Sequence, residues 1–247
     1  MNVKPMGVGF CGVVCAAVLF ASIPREHVLG AFATSLNGRT RSQRHNTGLA
    51  LKRLVGATIL PGATFSFNRR VGSFSRDEGY RKAPVSYNGQ LISDWGGGVC
   101  QTSTTLYNAA LLAGLTINER NRHHFCPSYV SPGRDAAVAF SNIDLKFTNP
   151  YPFPIKILGR ISGDQLMIDF RASHDLPQTP IVYEEVAHVH EPTTFRLGKL
   201  SGRSRLRNSG KRGYEVAVFR QIGNRREFIS KDEYPAMNKV LESQPDL

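Results

Sequence analysis

The sequence predicts an α+β fold with a mixed or antiparallel sheet and one helix that begins at a cysteine. Apolar residues recur at helical spacing in only two places, whereas short alternating segments recur along most of the chain. The connections between them are mostly short and rich in glycine and proline, which favours α+β over an alternating α/β arrangement. A chain of 247 residues is long enough to bury one sizeable core and to carry an appendage.

Residues 1–23 are predicted to be an export signal or a membrane anchor. Lys4 precedes an almost unbroken apolar run from Met6 to Ile23, the order of a basic region and a hydrophobic export segment. The run is about 18 residues long, the lower limit for a bilayer-spanning helix, and no clear small-x-small cleavage site follows it. A signal, an anchor and a buried N-terminal helix therefore stay open. Residues 24–45 are polar and basic and are predicted to be an exposed lead-in.

Residues 46–176 are predicted to form the main domain. One helix is indicated by the apolar spacing between Leu49 and Val55 and ends at Gly56; a second follows Cys100 and ends at Gly114. Asn88-Gly89 is a strong hairpin turn between two alternating segments. Further alternating segments predict short strands at 65–68, 115–117, 128–130, 136–140, 145–147, 155–161 and 166–170.

Residues 177–247 are predicted to form a small basic β extension. Prolines are frequent there, and basic residues far outnumber acidic ones between Arg196 and Lys231. Alternation at 214–219 and 227–229 indicates strands.

The segment from Gly96 to Ala110 is the most informative for chemistry. Three glycines lead into Cys100, and Cys100 leads into the second helix. The positive end of a helix dipole favours a thiolate over a thiol, and glycines let a ligand backbone approach closely. A disulfide between Cys100 and Cys126 is the alternative in an exported chain.

Residues from about 45 to 170 carry an ordered set of motifs that closely resembles the VanW family. The motifs are Pro61-Gly62-Ala63-Thr64-Phe65-Ser66-Phe67-Asn68, Val71-Gly72, Gly79-Tyr80, Ala83-Pro84, Gly96-Gly97-Gly98-Val99-Cys100-Gln101, Ser103-Thr104-Thr105-Leu106-Tyr107-Asn108-Ala109, Glu119-Arg120, His124, Tyr129-Val130, Gly133-Arg134-Asp135-Ala136 and Asp144. The resemblance implies a bacterial protein, exported or membrane-anchored at the extracytoplasmic face, linked by name to vancomycin-resistance clusters. It implies no settled reaction.

The first functional hypothesis is a thiol enzyme with Cys100 as nucleophile, His124 as base and Asp135 as the acid that orients the imidazole. His124 is chosen because it matches the family motif. The order of cysteine helix, histidine and aspartate also resembles that of transglutaminase-like and papain-like thiol enzymes. The expected reaction is acyl transfer on peptidoglycan-type amide bonds, as an amidase, peptidase or transpeptidase.

Three alternatives stay open within this hypothesis. His123 replaces His124 if the strand register differs, and Asp144 is the alternative acid. Gln101 or a backbone amide near Cys100 is expected to stabilise an oxyanion.

The second hypothesis is a non-catalytic module that binds the cell wall in a groove around Cys100. Aromatic side chains and glycines form the walls of such a groove. The residues assigned to it are Gly97, Gly98, Gln101, Trp95, Tyr107 and Arg120.

The net charge of +12 predicts an anionic partner, here peptidoglycan or another wall polymer, with membrane attachment through the N-terminal segment. No nucleic-acid motif is present, so nucleic acid is not expected as a partner. No cofactor and no metal is predicted, because the spacing of Cys100, His123, His124 and Cys126 is not that of a zinc site. His188 and His190 alternate on one strand face and are the remaining candidates for ligands.

Overall fold

The computed structural model of the protein describes residues 26–87, 90–140, 142–198 and 204–243. The helices in these residues are α1 (Arg41–Leu54), α2 (Phe67–Val71) and α3 (Val99–Leu112). The strands are β1 (His27–Ser35), β2 (Thr58–Ile59), β3 (Thr64–Ser66), β4 (Lys82–Tyr87), β5 (Gln90–Trp95), β6 (Thr116–Glu119), β7 (Lys146–Thr148), β8 (Ile155–Ser162), β9 (Gln165–Ala172), β10 (Ile181–His190), β11 (Thr194–Leu197), β12 (Ser204–Lys211), β13 (Gly213–Ile222), β14 (Arg225–Tyr234) and β15 (Met237–Ser243).

The strands form small and mostly antiparallel sheets. A four-stranded sheet has the order β1-β9-β8-β2, and three-stranded sheets have the orders β3-β7-β6, β10-β13-β14 and β11-β15-β12. Strands β4 and β5 form a hairpin, and β11 pairs with β15 in parallel. The prediction of few helices beside mixed or antiparallel sheets is confirmed at this level.

Helix α3 lies at the centre of the molecule. Every residue from Gln101 to Leu111 is buried, and the helix packs against β1, β9 and α1. At its end, Leu115 N–H donates to Ala110 C=O and Gly114 N–H donates to Leu111 C=O. These two bonds make a Schellman cap at the predicted glycine. Because the helix is packed along its whole length and capped at its end, the position of its first residues is fixed as well.

Apart from the Tyr107 hydroxyl, which has no hydrogen-bond partner among the described residues, the buried polar side chains of α3 find partners on neighbouring elements. The hydroxyls of Thr105 and Thr34 lie 2.8 Å apart, and the Asn108 amide donates to the Arg134 carbonyl at 2.7 Å. Ser103 Oγ donates to the Ala136 carbonyl at 2.6 Å. These bonds attach the helix to β1 on one side and to the 134–138 segment on the other.

The prediction of an exposed lead-in over 24–45 is wrong for most of its length. Residues 27–35 are β1, which pairs with β9 in the core sheet, and Leu29 and Leu36 are buried. A bulge after Val28 interrupts the alternation, so the strand lacks the regular pattern on which its recognition depends. Helix α1 already begins at Arg41, behind a capping box formed by Thr40 and Gln43.

The strands predicted at 128–130 and 136–140 are not present. The second segment forms only isolated bridges, from Asn121 to Ala137 and from Ala139 to Ile143. Ala136 explains the difference, because its N–H donates to Thr104 Oγ1 and its C=O accepts from Ser103. Backbone groups that are bonded by helix side chains do not need a strand partner.

Two predictions fall on residues outside the described ones. The signal or anchor at 1–23 lies outside them, and so does Asn88-Gly89, although the flanking Tyr87 and Gln90 pair as a hairpin requires. Within the described residues, no helix combines the length and the apolar character needed to cross a membrane.

The C-terminal extension is β-structured and packs on the main domain. Val216 and Val218 of β13 are buried, and a Cβ at Gly133 would lie 2.6 Å from Val218. Arg220 Nη1 donates to the carbonyls of Leu111 and Leu115, at the C-terminal end of α3. The β10-β13-β14 sheet is therefore in direct contact with the central helix.

Candidate active site

Cys100 is the second residue of α3, where the helix dipole stabilises an anion. The helix start is held by glycines that pack against protein. Gly98 has φ +109°, and a Cβ there would lie 2.5 Å from the Gln43 carbonyl oxygen. A Cβ at Gly97 would lie 2.7 Å from the Pro84 carbonyl oxygen. The expectation that Gly97 and Gly98 give a ligand room is wrong, because α1 and β4 occupy that space.

The thiol of Cys100 is half-buried and faces His123. Its Sγ lies 3.4 Å from the Val138 carbonyl oxygen, and His123 is the ionisable side chain that interacts with it most strongly. Burial acts to raise the pKa of Cys100, but the hydrogen bond and positive charge of His123 outweigh it and hold the pKa below its ordinary value. The site therefore favours a thiolate.

His123 is held by Asp135 through two bonds to one carboxylate oxygen. His123 Nδ1 lies 2.6 Å from Asp135 Oδ2, and the His123 N–H donates to the same oxygen at 2.7 Å. Because Nδ1 is bonded to Asp135, Nε2 is left to interact with the sulfur. Burial acts to lower the pKa of His123, but the bonds to Asp135 and Cys100 raise it to about 10. Burial opposes ionisation of Asp135 as well, yet His123 and Arg120 lower its pKa to about 2.

The histidine predicted as the base, His124, lies outside this chain of contacts. It is exposed, and its ring packs edge-on against Phe125 with centroids 4.5 Å apart. The bridge between Asn121 and Ala137 and the bond from His123 N–H to Asp135 fix the register of the segment. Consecutive side chains of extended backbone point in opposite directions, so His123 faces the thiol and His124 faces solvent.

Asp144, the alternative acid, bonds to residues around the start of α2. Its carboxylate accepts from Ser66 Oγ at 2.6 Å and from the N–H groups of Asn68 and Leu145 at 2.9 and 2.8 Å. These bonds fix the start of α2, so Asp144 does not orient the imidazole.

Arg120 was assigned to ligand binding but is an internal support. Its side chain is 6% exposed. Nη2 donates to Asp135 Oδ1 at 2.8 Å, and Nη1 donates to both carboxylate oxygens of Asp232 at 2.7 and 2.6 Å. The hydroxyl of Tyr234 donates to the same Asp135 Oδ1 at 2.5 Å. No sequence pattern connects Asp232 and Tyr234 to Asp135, which lies about a hundred residues earlier.

Gln101 is also unavailable to a substrate. Its amide donates to Thr34 Oγ1 and to the Ser35 carbonyl at 3.1 and 2.8 Å, and its Oε1 accepts from Arg39 Nε at 2.8 Å. The N–H of Cys100 has no protein acceptor within the described ranges. That backbone amide is therefore the donor left at the helix start for an oxyanion.

The aromatic residues assigned to a groove are not gathered around Cys100. Tyr107 is fully buried beneath Arg120, and Trp95 is half-buried on β5 with Lys82 Nζ 5.6 Å from its ring. Tyr129, which was not assigned to the site, lies beside the thiol, with its hydroxyl 3.5 Å from the Cys100 carbonyl oxygen. Arg39 stacks on the Tyr129 ring at 4.9 Å.

Cys100 and Cys126 are both free thiols, so the disulfide alternative is not formed in the structure. Burial raises the pKa of Cys126 to about 12. Among the described residues, His190, Glu215 and Glu233 place ligand atoms within 4.8 Å of one another. This group could hold a metal ion; it lies on β10, β13 and β14, and none of its members contacts the Cys100 site.

The family described as "VanW like protein" matches residues 42–171. The chain belongs to the VanW-like family. It is 40% identical over 145 residues to the "Uncharacterized protein YoaR" of Bacillus subtilis (strain 168), covering 59% of this chain and 48% of that protein. It is 38% identical over 110 residues to the "Vancomycin B-type resistance protein VanW" of Enterococcus faecalis (strain ATCC 700802 / V583), covering 42% of this chain and 40% of that protein. The chain thus spans less than half the length of each of these relatives.

A solved structure described as HP0197-G5 matches 26% of this VanW-like chain and 97% of its own, at 18% identity and a TM-score of 0.17. A TM-score this low supports no conclusion about the fold. The three residues in contact at the thiol, Cys100, His123 and Asp135, lie inside the family match, whereas Asp232 and Tyr234 lie beyond its end.

Proposed function

We propose that this VanW-like protein is a thiol enzyme that performs acyl transfer on amide bonds of peptidoglycan-type peptides. The observation that carries the proposal is the contact of 2.6 Å between His123 Nδ1 and Asp135 Oδ2. The same His123 acts on Cys100, at the start of a buried helix, and lowers the pKa of its thiol. A nucleophile, a base and a group that orients the base are the parts that covalent acyl transfer needs.

The reaction follows from these contacts. The Cys100 thiolate attacks the amide carbonyl carbon, and the carbonyl oxygen becomes an oxyanion that the Cys100 N–H stabilises. His123 gives its proton to the departing amine as the C–N bond breaks, which leaves a thioester on Cys100. Water or a second amine then attacks the thioester, His123 accepts its proton, and the thiolate leaves. Asp135 holds the imidazole in one tautomer throughout.

The arrangement of elements is consistent with the same proposal. A cysteine at the N-terminus of a central helix, followed along the chain by a histidine and an aspartate, resembles the order in transglutaminase-like thiol enzymes and in papain-like ones, where asparagine takes the third place. We therefore propose a core of that kind, with the β1-β9-β8-β2 sheet along the helix.

Arg39 supports a substrate that carries a carboxylate. Its guanidinium is half-buried, is anchored by Gln101 and stacks on Tyr129 beside the nucleophile. Within the described parts of the chain it forms no ion pair. A partly desolvated cation without a counter-ion is a favourable place for an anionic group, and stem peptides of the wall end in carboxylates.

The cellular setting is part of the proposal. The apolar run from Met6 to Ile23 and the net charge of +12 support an exported or anchored protein in contact with an anionic wall polymer. Resistance to vancomycin belongs to the name of one relative; for this chain we propose only work at the cell envelope.

The test is the pH dependence of Cys100 alkylation by iodoacetamide in the full chain. Peptide mass spectrometry follows the adduct, because the sequence holds four cysteines. In the wild type we expect an inflection below the ordinary thiol pKa. In His123→Ala, burial is no longer outweighed, so the inflection rises and the rate at pH 7 falls by about tenfold or more, the equivalent of one pKa unit.

His124→Ala is the matched control, since it removes the neighbouring exposed imidazole. We expect its profile to overlay that of the wild type. A wild-type inflection at or above the ordinary thiol pKa, or equal effects of the two alanine variants, would overturn the proposal and leave a non-catalytic wall-binding module.

A further inference from the structure

We infer that the C-terminal sheet is part of the catalytic machinery, and that Tyr234 is a positioning residue that aims the Asp135 carboxylate at His123. The inference rests on the proposed function and extends it beyond the family match at 42–171. It makes activity depend on a strand that lies some sixty residues past that match.

The two oxygens of Asp135 have separate partners. Among the described residues, Oδ2 is bonded to His123 alone, through its ring and its N–H. Oδ1 accepts from Tyr234 Oη and Arg120 Nη2. Two directional bonds at Oδ1 prevent the carboxylate from rotating, so Oδ2 stays in line with the imidazole.

Asp135 needs these donors because it is fully buried, with 0% exposure. A carboxylate removed from water is stable as an anion only when hydrogen bonds and opposite charge replace its hydration. His123 supplies one side, and the other side is supplied by groups that the C-terminal sheet provides or holds.

The orientation of the Tyr234 hydroxyl is itself determined. It accepts from the Gly133 N–H and from Arg120 Nη2, both at 3.2 Å. With both acceptor directions used, its one proton points to Asp135. The residue is fully buried on β14, so the strand fixes the position of the ring.

Arg120 reaches Asp135 in the right orientation because β14 holds its other end. Both oxygens of Asp232 bind Nη1, and Ser230 Oγ donates to Asp232 Oδ2 at 3.1 Å. The side chain of Asp232 is 8% exposed. A cation buried between two carboxylates is a strong constraint on the geometry of all three groups.

The test compares Tyr234→Phe with Tyr214→Phe in the full chain. Tyr214 is the cross-strand neighbour of Tyr234 on β13, and no contact joins it to Asp135. Phenylalanine keeps the buried ring and removes only the hydroxyl. We expect the inflection of Cys100 alkylation to rise in Tyr234→Phe, with the rate at pH 6 falling by about threefold or more, half a pKa unit, and no change in Tyr214→Phe.

A double-mutant cycle separates positioning from a general loss of structure. If Tyr234 acts through Asp135 and His123, its replacement has no effect on alkylation once His123→Ala is present. The inference is overturned if Tyr234→Phe lowers the alkylation rate equally with and without His123→Ala. It is also overturned if Tyr234→Phe and Tyr214→Phe give the same pH profile of alkylation.

Two further results keep the test decisive. Asp232→Asn, a second isosteric change on β14, is expected to shift the profile, and the shift is expected to vanish in the His123→Ala background. This variant serves if circular dichroism shows that Tyr234→Phe does not fold. If the wild-type thiol has an ordinary pKa, the proposed function itself is wrong. If the wild-type pKa is low but neither β14 variant changes it, only this inference is wrong.

Discussion

At the scale of single residues, Arg39 is the group that we propose as the contact for an anionic substrate. Buried arginines elsewhere in the described structure have acidic partners: Arg120 has two, and Arg134 binds Glu184 at 3.0 Å. Arg39 has an amide and an aromatic ring instead. Such a cation remains available to an anion that arrives from solution.

Two alkylating reagents of similar size but different charge, iodoacetate and iodoacetamide, test this role without a known substrate. We expect Arg39→Met to lower the ratio of iodoacetate to iodoacetamide rates at Cys100 by about fivefold, which corresponds to about 1 kcal/mol of charge attraction. Using the ratio cancels changes in the reactivity of the thiol itself. Arg39→Lys keeps the charge and should retain most of the ratio, and Arg41→Met, at an exposed position two residues further along the chain, should leave it unchanged. An unaltered ratio in Arg39→Met would exclude Arg39 as an anion site.

Some residue positions at the site can be predicted from the sequence and others cannot. The positions of Cys100 at a helix start and of Asp135 near a histidine were predictable, because glycines and prolines mark the helix start and the turn. The choice between His123 and His124 depends on a bridge from Asn121 to Ala137 that leaves no periodic signal. Gln101 is polar and next to Cys100, yet its partners on β1 are contacts between distant segments.

At the scale of elements, β1 and α3 determine where the thiol lies. They pack so closely that a Cβ at Gly30 would lie 2.3 Å from Ala113 N and 2.5 Å from Leu112 C. Both atoms are backbone, so neither can move away as a side chain would. The strand thereby limits how far the helix can shift along its axis.

Two glycine substitutions test this packing. Gly30→Ala is expected to destabilise the fold by about 1–3 kcal/mol, the range found for overpacking a tight core. Gly48→Ala, in the middle of α1, meets only Ile161 Cδ1 at 3.7 Å and should stabilise the fold by up to about 1 kcal/mol through helix propensity. Urea unfolding measures both. Equal changes in the free energy of unfolding of the two variants would show that β1 does not limit the position of the helix.

The helices and strands that could be predicted are those whose sequence patterns depend on residues close together in the chain. Helix α3 was predicted with its glycine end because apolar spacing and a cap motif coincide there. Strand β1 was missed because its bulge breaks the alternation and its partner β9 lies more than 130 residues away. The segment 136–140 alternates like a strand, but its backbone groups bind Ser103 and Thr104, a competition that only the folded helix creates.

At the scale of the whole molecule, the C-terminal extension is joined to the main domain through buried polar contacts at two separate levels of α3. Tyr234 and Asp232 meet Arg120 and Asp135 near the thiol. Arg220 meets the carbonyls at the far end of the helix. The composition of residues 177–247 indicated a small basic β extension, and its charge gave no sign that some of its polar residues point inward.

These buried contacts between the C-terminal sheet and the main domain should make the molecule unfold as one unit. Arg220 is 2% exposed, binds Glu227 at 3.0 and 2.8 Å and satisfies the carbonyls of Leu111 and Leu115. Arg220→Met removes the Arg220 donor from the Leu115 carbonyl, while the Leu111 carbonyl keeps its bond from Gly114 N–H, so we expect a loss of about 1–3 kcal/mol. Arg226→Met removes an exposed pair with Glu185 and is expected to cost less than about 1 kcal/mol.

Calorimetry distinguishes cooperative from independent unfolding. If the C-terminal sheet and the main domain are one cooperative unit, the wild type gives a single transition, and Arg220→Met lowers its temperature or splits it, while Arg226→Met leaves one transition nearly in place. Two transitions in the wild type, with Arg220→Met moving only one of them, would mean that the sheet opens on its own. The thiol would then lose its Tyr234 contact before the core unfolds, and Cys100 alkylation recorded across the first transition would fall with it.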